Sequence, residues 1–176
     1  MMKLYYFDVF ARAEPIRMML SYAKVPFEDV RIGGPEMKTM KEEGKLEYGQ
    51  VPMLELEDGT KLCQSIPIAN YVATVYGLHP ESPLDVHRGQ SIHEAIVSDF
   101  GYKMPPTLFS PPSAERDEKM AAFGVQYQVA AAHLARVLSQ REDKFICGNK
   151  LSFADFTVGG FWLNLFTNPN AKDADF

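Results

Sequence analysis

The chain has 176 residues, 46% of them apolar and 23% charged, with a formal net charge of −5. That length can bury a real core in one domain or two small ones, and the balance is that of an ordinary globular protein. No block of Lys and Arg marks a nucleic-acid surface, no stretch reaches the ~18 continuous apolar residues of a membrane span, and the opening MMKLYYFDVF reads as a strand rather than a signal peptide, so neither nucleic acid nor a membrane is an expected partner.

Residues 3–7 are aromatic and apolar and predict a buried strand. A helix follows over 13–23, where Ile16, Met19, Leu20 and Ala23 fall at i, i+3, i+4 and i+7 and Pro15 is tolerated in the first turn. VPFEDVRI (25–32) predicts a second strand. Residues 33–49 are polar and give at most a short helix near 36–43. Strands over 52–57 and 60–63 flank an Asp58-Gly59 turn, a strong hairpin signal. Ser65 reads as an N-cap with Pro67 in the first turn of a helix running to Tyr76. The order β-α-β then β-β-α predicts a mixed four-stranded sheet, its first two strands parallel through a right-handed crossover.

GLHPESP (77–83) is a linker, and no strand signal follows it. Residues 84–104 and 114–140 predict helices around the interruption MPPTLFSPPS (104–113). LSFADFTVGGFW opens another helix, with Ser152 and Asp155 spaced as a capping box and Leu151 and Phe156 as its staple. Cys63 and Cys147 form no CxxC pair and read as reduced thiols, and the histidines have no metal-ligand spacing.

Three stretches, in this order, carry a family likeness: LYYFDVFARAEPIR, YGQVPMLELEDGTKLCQSIPIANYVA and GNKLSFADF. They resemble the opening strand, tyrosine loop and first helix, the glutathione-binding core, and the C-terminal capping-box helix of the cytosolic glutathione transferases. The likeness covers nearly the whole chain and is densest in the first 77 residues. Tyr6 with Arg12-Ala13-Glu14 looks most like the sigma-type branch, with the pi and mu branches close behind. The resemblance implies the glutathione transferase fold, an α/β thioredoxin-like N-terminal domain (1–77), a linker (78–83) and an all-α C-terminal domain (84–176). It implies a cytoplasmic homodimer that uses glutathione as co-substrate, needs no metal, and conjugates the thiolate to small hydrophobic electrophiles, a detoxification chemistry. Two alternatives stay open: a glutathione-dependent isomerase of prostaglandin-type substrates, and a non-catalytic, crystallin-like or ligand-binding relative.

Carried over residue by residue, the resemblance makes Tyr6 the donor to the glutathione sulfur and gives Arg12 a supporting electrostatic role. Because side chains alternate along a strand, Tyr5 is expected to face the other way, toward packing. Pro52 is implied to follow a cis peptide bond that turns the N–H and C=O of Val51 toward the cysteinyl backbone of glutathione, with the Gln50 amide close by. Gln64 and Ser65, at a helix N-terminus, are implied to take the γ-glutamyl carboxylate. Asp99 is implied to reach across the dimer to the γ-glutamyl amine. Phe7, Tyr102, Met104 and Phe109 are candidates for the electrophile pocket. The sequence departs from the family twice. No Trp stands before the Gly-Gln-Val-Pro turn, and the position whose spacing best matches the family's lysine is Glu43. Lys38, Lys41 and Lys45 are therefore the candidates for the glycyl carboxylate, with Lys41 taken forward. The chain also ends at Phe176, before the further helix or two that family members usually carry, so the electrophile pocket is expected to be open on one side.

Overall fold

The computed structural model describes residues 1–103 and 111–163. Strand β1 (Met2–Phe7) leads through a single 3-10 turn (Ala11–Ala13) into helix α1 (Glu14–Tyr22). Strand β2 (Phe27–Ile32) and helix α2 (Gly34–Glu42) follow, then the short strands β3 (Met53–Glu55) and β4 (Lys61–Cys63). The sheet has the order β2-β1-β3-β4. β1 and β2 run parallel with Met2 opposite Phe27, while β3 pairs antiparallel with β1 and β4. This is the mixed four-stranded sheet of a thioredoxin-like unit.

The element boundaries differ from the sequence reading for local reasons. β3 starts one residue after Pro52, which has no N–H to give the ladder, and stops at Glu55 because the Leu56 carbonyl takes the Gly59 N–H and the Thr60 N–H turns to the Asp58 carboxylate. Helix α2 is longer than 36–43 suggested at its start. Pro35 presets its first turn, and the Glu36 carboxylate accepts from the Gly33 N–H at 3.0 Å. The strand expected from residue 25 begins only at Phe27, after Pro26.

Helix α3 (Ser65–Val75) packs its Ile68, Ala69 and Val72 on the sheet. The second, helical part begins with α4 (Pro83–His93), whose path continues through wider turns over Glu94–Phe100 to Lys103. Helix α5 (Ala114–Ser139) is capped by the Ser113 hydroxyl, which accepts from the Arg116 N–H at 3.1 Å. Helix α6 (Phe153–Phe156) continues in wider turns over Thr157–Leu163. Its capping box forms as expected, with the Asp155 carboxylate accepting from the Ser152 N–H and hydroxyl, each at 2.9 Å, while its other oxygen takes the Ile146 N–H at 2.9 Å.

One apolar cluster runs through both parts. Leu4, Ile16, Met19, Leu20, Leu54 and Val72 from the sheet side meet Ile92, Phe123, Phe153, Phe161 and Trp162 from the helical side. α1 comes so close to the last segment that a Cβ on Gly160 would lie 2.9 Å from the Pro15 nitrogen and 2.9 Å from the Met18 sulfur. A smaller cluster of Ile32, Met40, Leu46 and Met53 lies under α2, and Tyr5 packs against it, on the face opposite Tyr6. Among the described residues no helix is long and apolar enough to cross a membrane.

Candidate active site

At the C-terminal end of β1 lies a cleft of about 270 Å³, lined by Tyr6, Phe7 and Arg12, by Met37 and Lys41 of α2, by the Gly49–Pro52 turn, and by Gln64 and Ser65. Residues separated by nearly sixty positions thus converge because the antiparallel β3–β4 pair returns the chain beside β1. Nearly all the expected glutathione-site residues are in this one place. Asp99 is not. It opens onto a separate, largely apolar groove of about 630 Å³ between α4 and α5, so it takes no part in the cleft of its own chain. Phe7, assigned to the electrophile side, lines the cleft beside Tyr6, with ring centroids 5.5 Å apart. Tyr102 sits in the single turn Gly101–Lys103, while Met104 and Phe109 lie outside the described residues.

Tyr6 is 6% exposed, and burial pushes its phenol up from the ordinary tyrosine range. Two influences pull the other way: a hydrogen bond from the Arg12 backbone N–H and the positive charges of Arg12 and Arg17. The oxygen thus accepts from the main chain while the neutral phenol keeps its own proton to donate. The loop that delivers Arg12 bends sharply, with Ala11 at φ 30°, a region that L-residues seldom occupy.

The Val51–Pro52 peptide bond is cis, and Val51 lines the cleft. Across from it, Gln64 has φ 71° and ψ 126° immediately before α3. Such a conformation costs on the order of 1–3 kcal/mol in a residue with a Cβ. It places the Gln64 amide against Gln50, with Nε2 donating to Oε1 at 3.2 Å. The sequence reading of Ser65 as N-cap is corrected here: Gln64 holds that position, Ser65 is the first helical residue, and no side chain caps the helix. The N-terminal amides of α3, uncapped by any side chain, face the cleft with the Ser65 hydroxyl, an arrangement suited to a carboxylate.

The electrostatics point the same way. The chain is acidic overall, yet Arg12 and Lys41 line the cleft and no Asp or Glu does among the described residues. Of the three candidate lysines, Lys38 pairs with Glu42 at 3.8 Å and Lys45 with Glu43 at 2.6 Å. Lys41 shares a helix face with Met37, four residues back, and that face looks into the cleft. Among the described residues no metal-ligating cluster of His, Cys, Asp or Glu occurs, and both cysteines are free thiols.

Residues 2–74 match the family model described as glutathione S-transferase, N-terminal domain. A glutathione S-transferase of Anopheles gambiae is 31% identical over 174 residues, covering 96% of this chain and 82% of the relative. The chain belongs to the glutathione S-transferase family. A further relative, human glutathione S-transferase A3, is 32% identical over 165 residues, covering 89% of this chain and 70% of its own length. Among solved structures, prostaglandin synthase D of Nilaparvata lugens superposes with a TM-score of 0.70 at 26% identity, covering 93% of this chain and 84% of that one. The family uses glutathione as a substrate. The sequence reading missed two features here: Arg17, behind the cleft and almost wholly buried against the Tyr6 ring, and the backbone outlier at Gln64. A signal for Arg17 was present, since it follows Glu14 by three residues and lies next to the apolar stripe of α1.

Proposed function

We propose that this glutathione S-transferase conjugates the glutathione thiolate to small hydrophobic electrophiles, with Tyr6 as the donor that stabilises the thiolate. The observation that carries the reading is the buried, neutral phenol of Tyr6 at the floor of a cationic cleft. A free thiol with its pKa near 8.5 is mostly protonated at neutral pH. A hydrogen bond donated to sulfur favours the anion, and Arg12 adds positive charge on the same side. In this reading the Val51 N–H and C=O pair with the cysteinyl backbone like one more strand, Gln50 and Gln64 flank it, and Ser65 with the α3 amides takes the γ-glutamyl carboxylate. Phe7 begins the apolar wall on which the electrophile lies. Retention on immobilised glutathione followed by turnover of an activated aryl halide tests the proposal. Retention without turnover would make the protein a binding or structural relative instead.

The branch is read as sigma-type from Tyr6 and Arg12-Ala13-Glu14, and the likeness to prostaglandin synthase D favours a second activity, glutathione-dependent isomerisation of a prostaglandin-type endoperoxide. That activity needs its own assay with the endoperoxide. The reduced state of glutathione in the cytosol and two free thiols fit a cytoplasmic protein.

Lys41 is assigned to the glycyl carboxylate. Lys41→Met is expected to weaken glutathione binding by about two- to fivefold, the range of an exposed ion pair, and to flatten its dependence on salt. Lys38→Met and Lys45→Met serve as controls, because Glu42 and Glu43 already engage those lysines. Calorimetric titration at two ionic strengths decides, and equal losses in all three variants would remove the assignment.

The chain is also proposed to act as a two-fold homodimer, with Asp99 addressing the partner's cleft. Tyr48, Tyr71, Val75, Leu84, Val125 and Val129 are large apolar side chains left exposed in one copy. Asp99→Ala should then lower glutathione affinity without changing the melting temperature. A monodisperse monomer that binds glutathione at full strength would end this role for Asp99.

A further inference from the structure

Arg17 is a cation buried to 6% exposure, on the helix that follows the tyrosine loop, and the chemistry derived above does not use it. Its contacts converge on that loop. Nε donates to Asp29 Oδ1 of β2 at 3.0 Å. Nη1 donates to the Val9 carbonyl at 3.0 Å, more weakly to the Phe10 carbonyl at 3.4 Å, and to the Glu14 carboxylate at 3.0 Å. Nη2 has no hydrogen-bond acceptor among the described residues, and the guanidinium carbon lies 5.7 Å from the centroid of the Tyr6 ring. A second arginine completes the arrangement. Arg31 grips the other oxygen of Asp29 at 2.6 Å and also reaches the Val9 carbonyl, at 3.4 Å, and Asp8, at 3.5 Å.

A buried guanidinium carries a desolvation cost, and a whole buried ion-pair cluster is often no more stable than apolar residues of the same volume, although removing the cation alone strands Glu14 and Asp29. Here its donors go to two carbonyls of one loop as well as to carboxylates on α1 and β2. That loop has its sharpest bend at Ala11, φ 30°, and supplies the Arg12 N–H that bonds to the phenol. We propose that Arg17 is a positioning residue for the reaction: its guanidinium ties the tyrosine loop to α1 and β2, lies against the Tyr6 ring, and so fixes where the phenol points. The inference rests on Tyr6 being the sulfur donor. Lysine cannot substitute, because an ammonium is a single point whereas the planar fork spans Asp29, Val9 and Glu14 at once. The charged groups facing this centre are Glu14 on α1, Asp29 and Arg31 on β2, and Asp8 and Arg12 on the loop. Burial pushes the Glu14 carboxyl up while Arg17 holds it down.

The test is the pH profile of turnover with an activated aryl halide in Arg17→Met, Arg17→Lys and Asp29→Asn, beside each variant's melting curve. In Arg17→Met, kcat at pH 7 should fall by about tenfold and the acid limb of the profile should move up by about one unit, with KM for glutathione within about twofold of wild type. Asp29→Asn should shift the limb in the same direction by less. Arg17→Lys should recover less than half of the loss. Should Arg17→Met fail to fold, the other two variants carry the test. Profiles that superimpose on wild type, or a loss of kcat that follows the melting temperature with the limb unmoved, overturn the proposal. A separate reading needs no glutathione. With ¹³Cζ-labelled tyrosine, and Tyr6→Phe to assign the resonance, the Tyr6 phenol should titrate at higher pH in Arg17→Met than in wild type, since a positive charge and a held loop are lost. An unchanged or lower titration point counts against Arg17. A wild-type protein that forms no thiolate refutes the Tyr6 function instead, and the two failures stay distinct.

Discussion

Tyr6→Phe is expected to lower turnover by about ten- to a hundredfold at neutral pH while glutathione is still retained. Phenylalanine keeps the ring, its packing against Phe7 and its contact with Arg17, and removes only the O–H. A hydrogen bond to an ionised sulfur is worth roughly 1.5–3 kcal/mol. At about 1.4 kcal/mol per unit, the bound thiol's pKa should rise by about one to two units. The loss of rate should therefore shrink as pH rises, because hydroxide then supplies the thiolate without help. In the proposed function Val51, Gln64 and Ser65, which line the same cleft, grip the peptide rather than the sulfur, so retention should survive. One structural cost is expected: the Arg12 N–H loses its acceptor, so stability should drop by about 1 kcal/mol. The thiolate's ultraviolet absorbance, titrated on wild type and variant, reads the shift directly. Superimposable titrations would take Tyr6 out of the mechanism and turn attention to Arg12.

The mixed sheet, its strand directions and the helical second part were legible because they rest on patterns of short range. The alternation around Leu4 and Tyr6, the Asp58-Gly59 turn and the Ser152–Asp155 capping box each lie within a few residues, and the structure has them all. The cleft was legible through motif order rather than through chemistry, since Tyr6, Gln50 and Gln64 look unremarkable one at a time. What stayed hidden depends on three dimensions. Whether Lys41 or Glu43 faces the cleft is decided by 100° of rotation per residue on α2 and by where that helix ends. Arg17 is surrounded by acceptors 3 to 12 positions away, on the loop, α1 and β2, and no linear pattern gathers them. The positive φ of Gln64 belongs to a residue that would ordinarily avoid it, so nothing in its side chain announces it. Asp99 shows the opposite limit. Its spacing along the chain matches a role in the partner's cleft, and within one subunit it opens onto a different groove, so its role depends on an assembly that no single chain shows.

Acid should destabilise this protein through one residue in particular, His93. It is 2% exposed on α4, its Nδ1 is 3.0 Å from the Thr157 hydroxyl, and its ring centroid lies 5.7 Å from that of Phe153. The Thr157 hydroxyl gives its only proton to the Phe153 carbonyl at 3.0 Å, so it must accept from His93, which fixes the proton of the neutral ring on Nδ1. A second proton would have to enter on Nε2 in a desolvated site, and burial accordingly pushes the pKa of His93 down to about 4 from 6.5. The unfolded chain takes up that proton as pH falls through 6.5, whereas the folded chain refuses it until about 4. Between those values the unfolded state binds more protons, so stability falls as pH falls. The contribution is complete above pH 7, is reduced by about 2 kcal/mol at pH 5, and is lost by about 3 kcal/mol once pH is below 4. Urea unfolding at pH 7.5, 6 and 5 measures the slope. Carboxylates titrate in the same range, so the decisive quantity is the difference from His93→Gln, which cannot take up a proton and keeps an amide to donate toward Thr157. The variant should be the less stable protein at pH 7.5, through imperfect packing against Phe153, and should lose about 2 kcal/mol less than wild type on going to pH 5. Parallel slopes in the two proteins would mean that His93 is solvated, and that α4 and α6 part from each other before the protein unfolds.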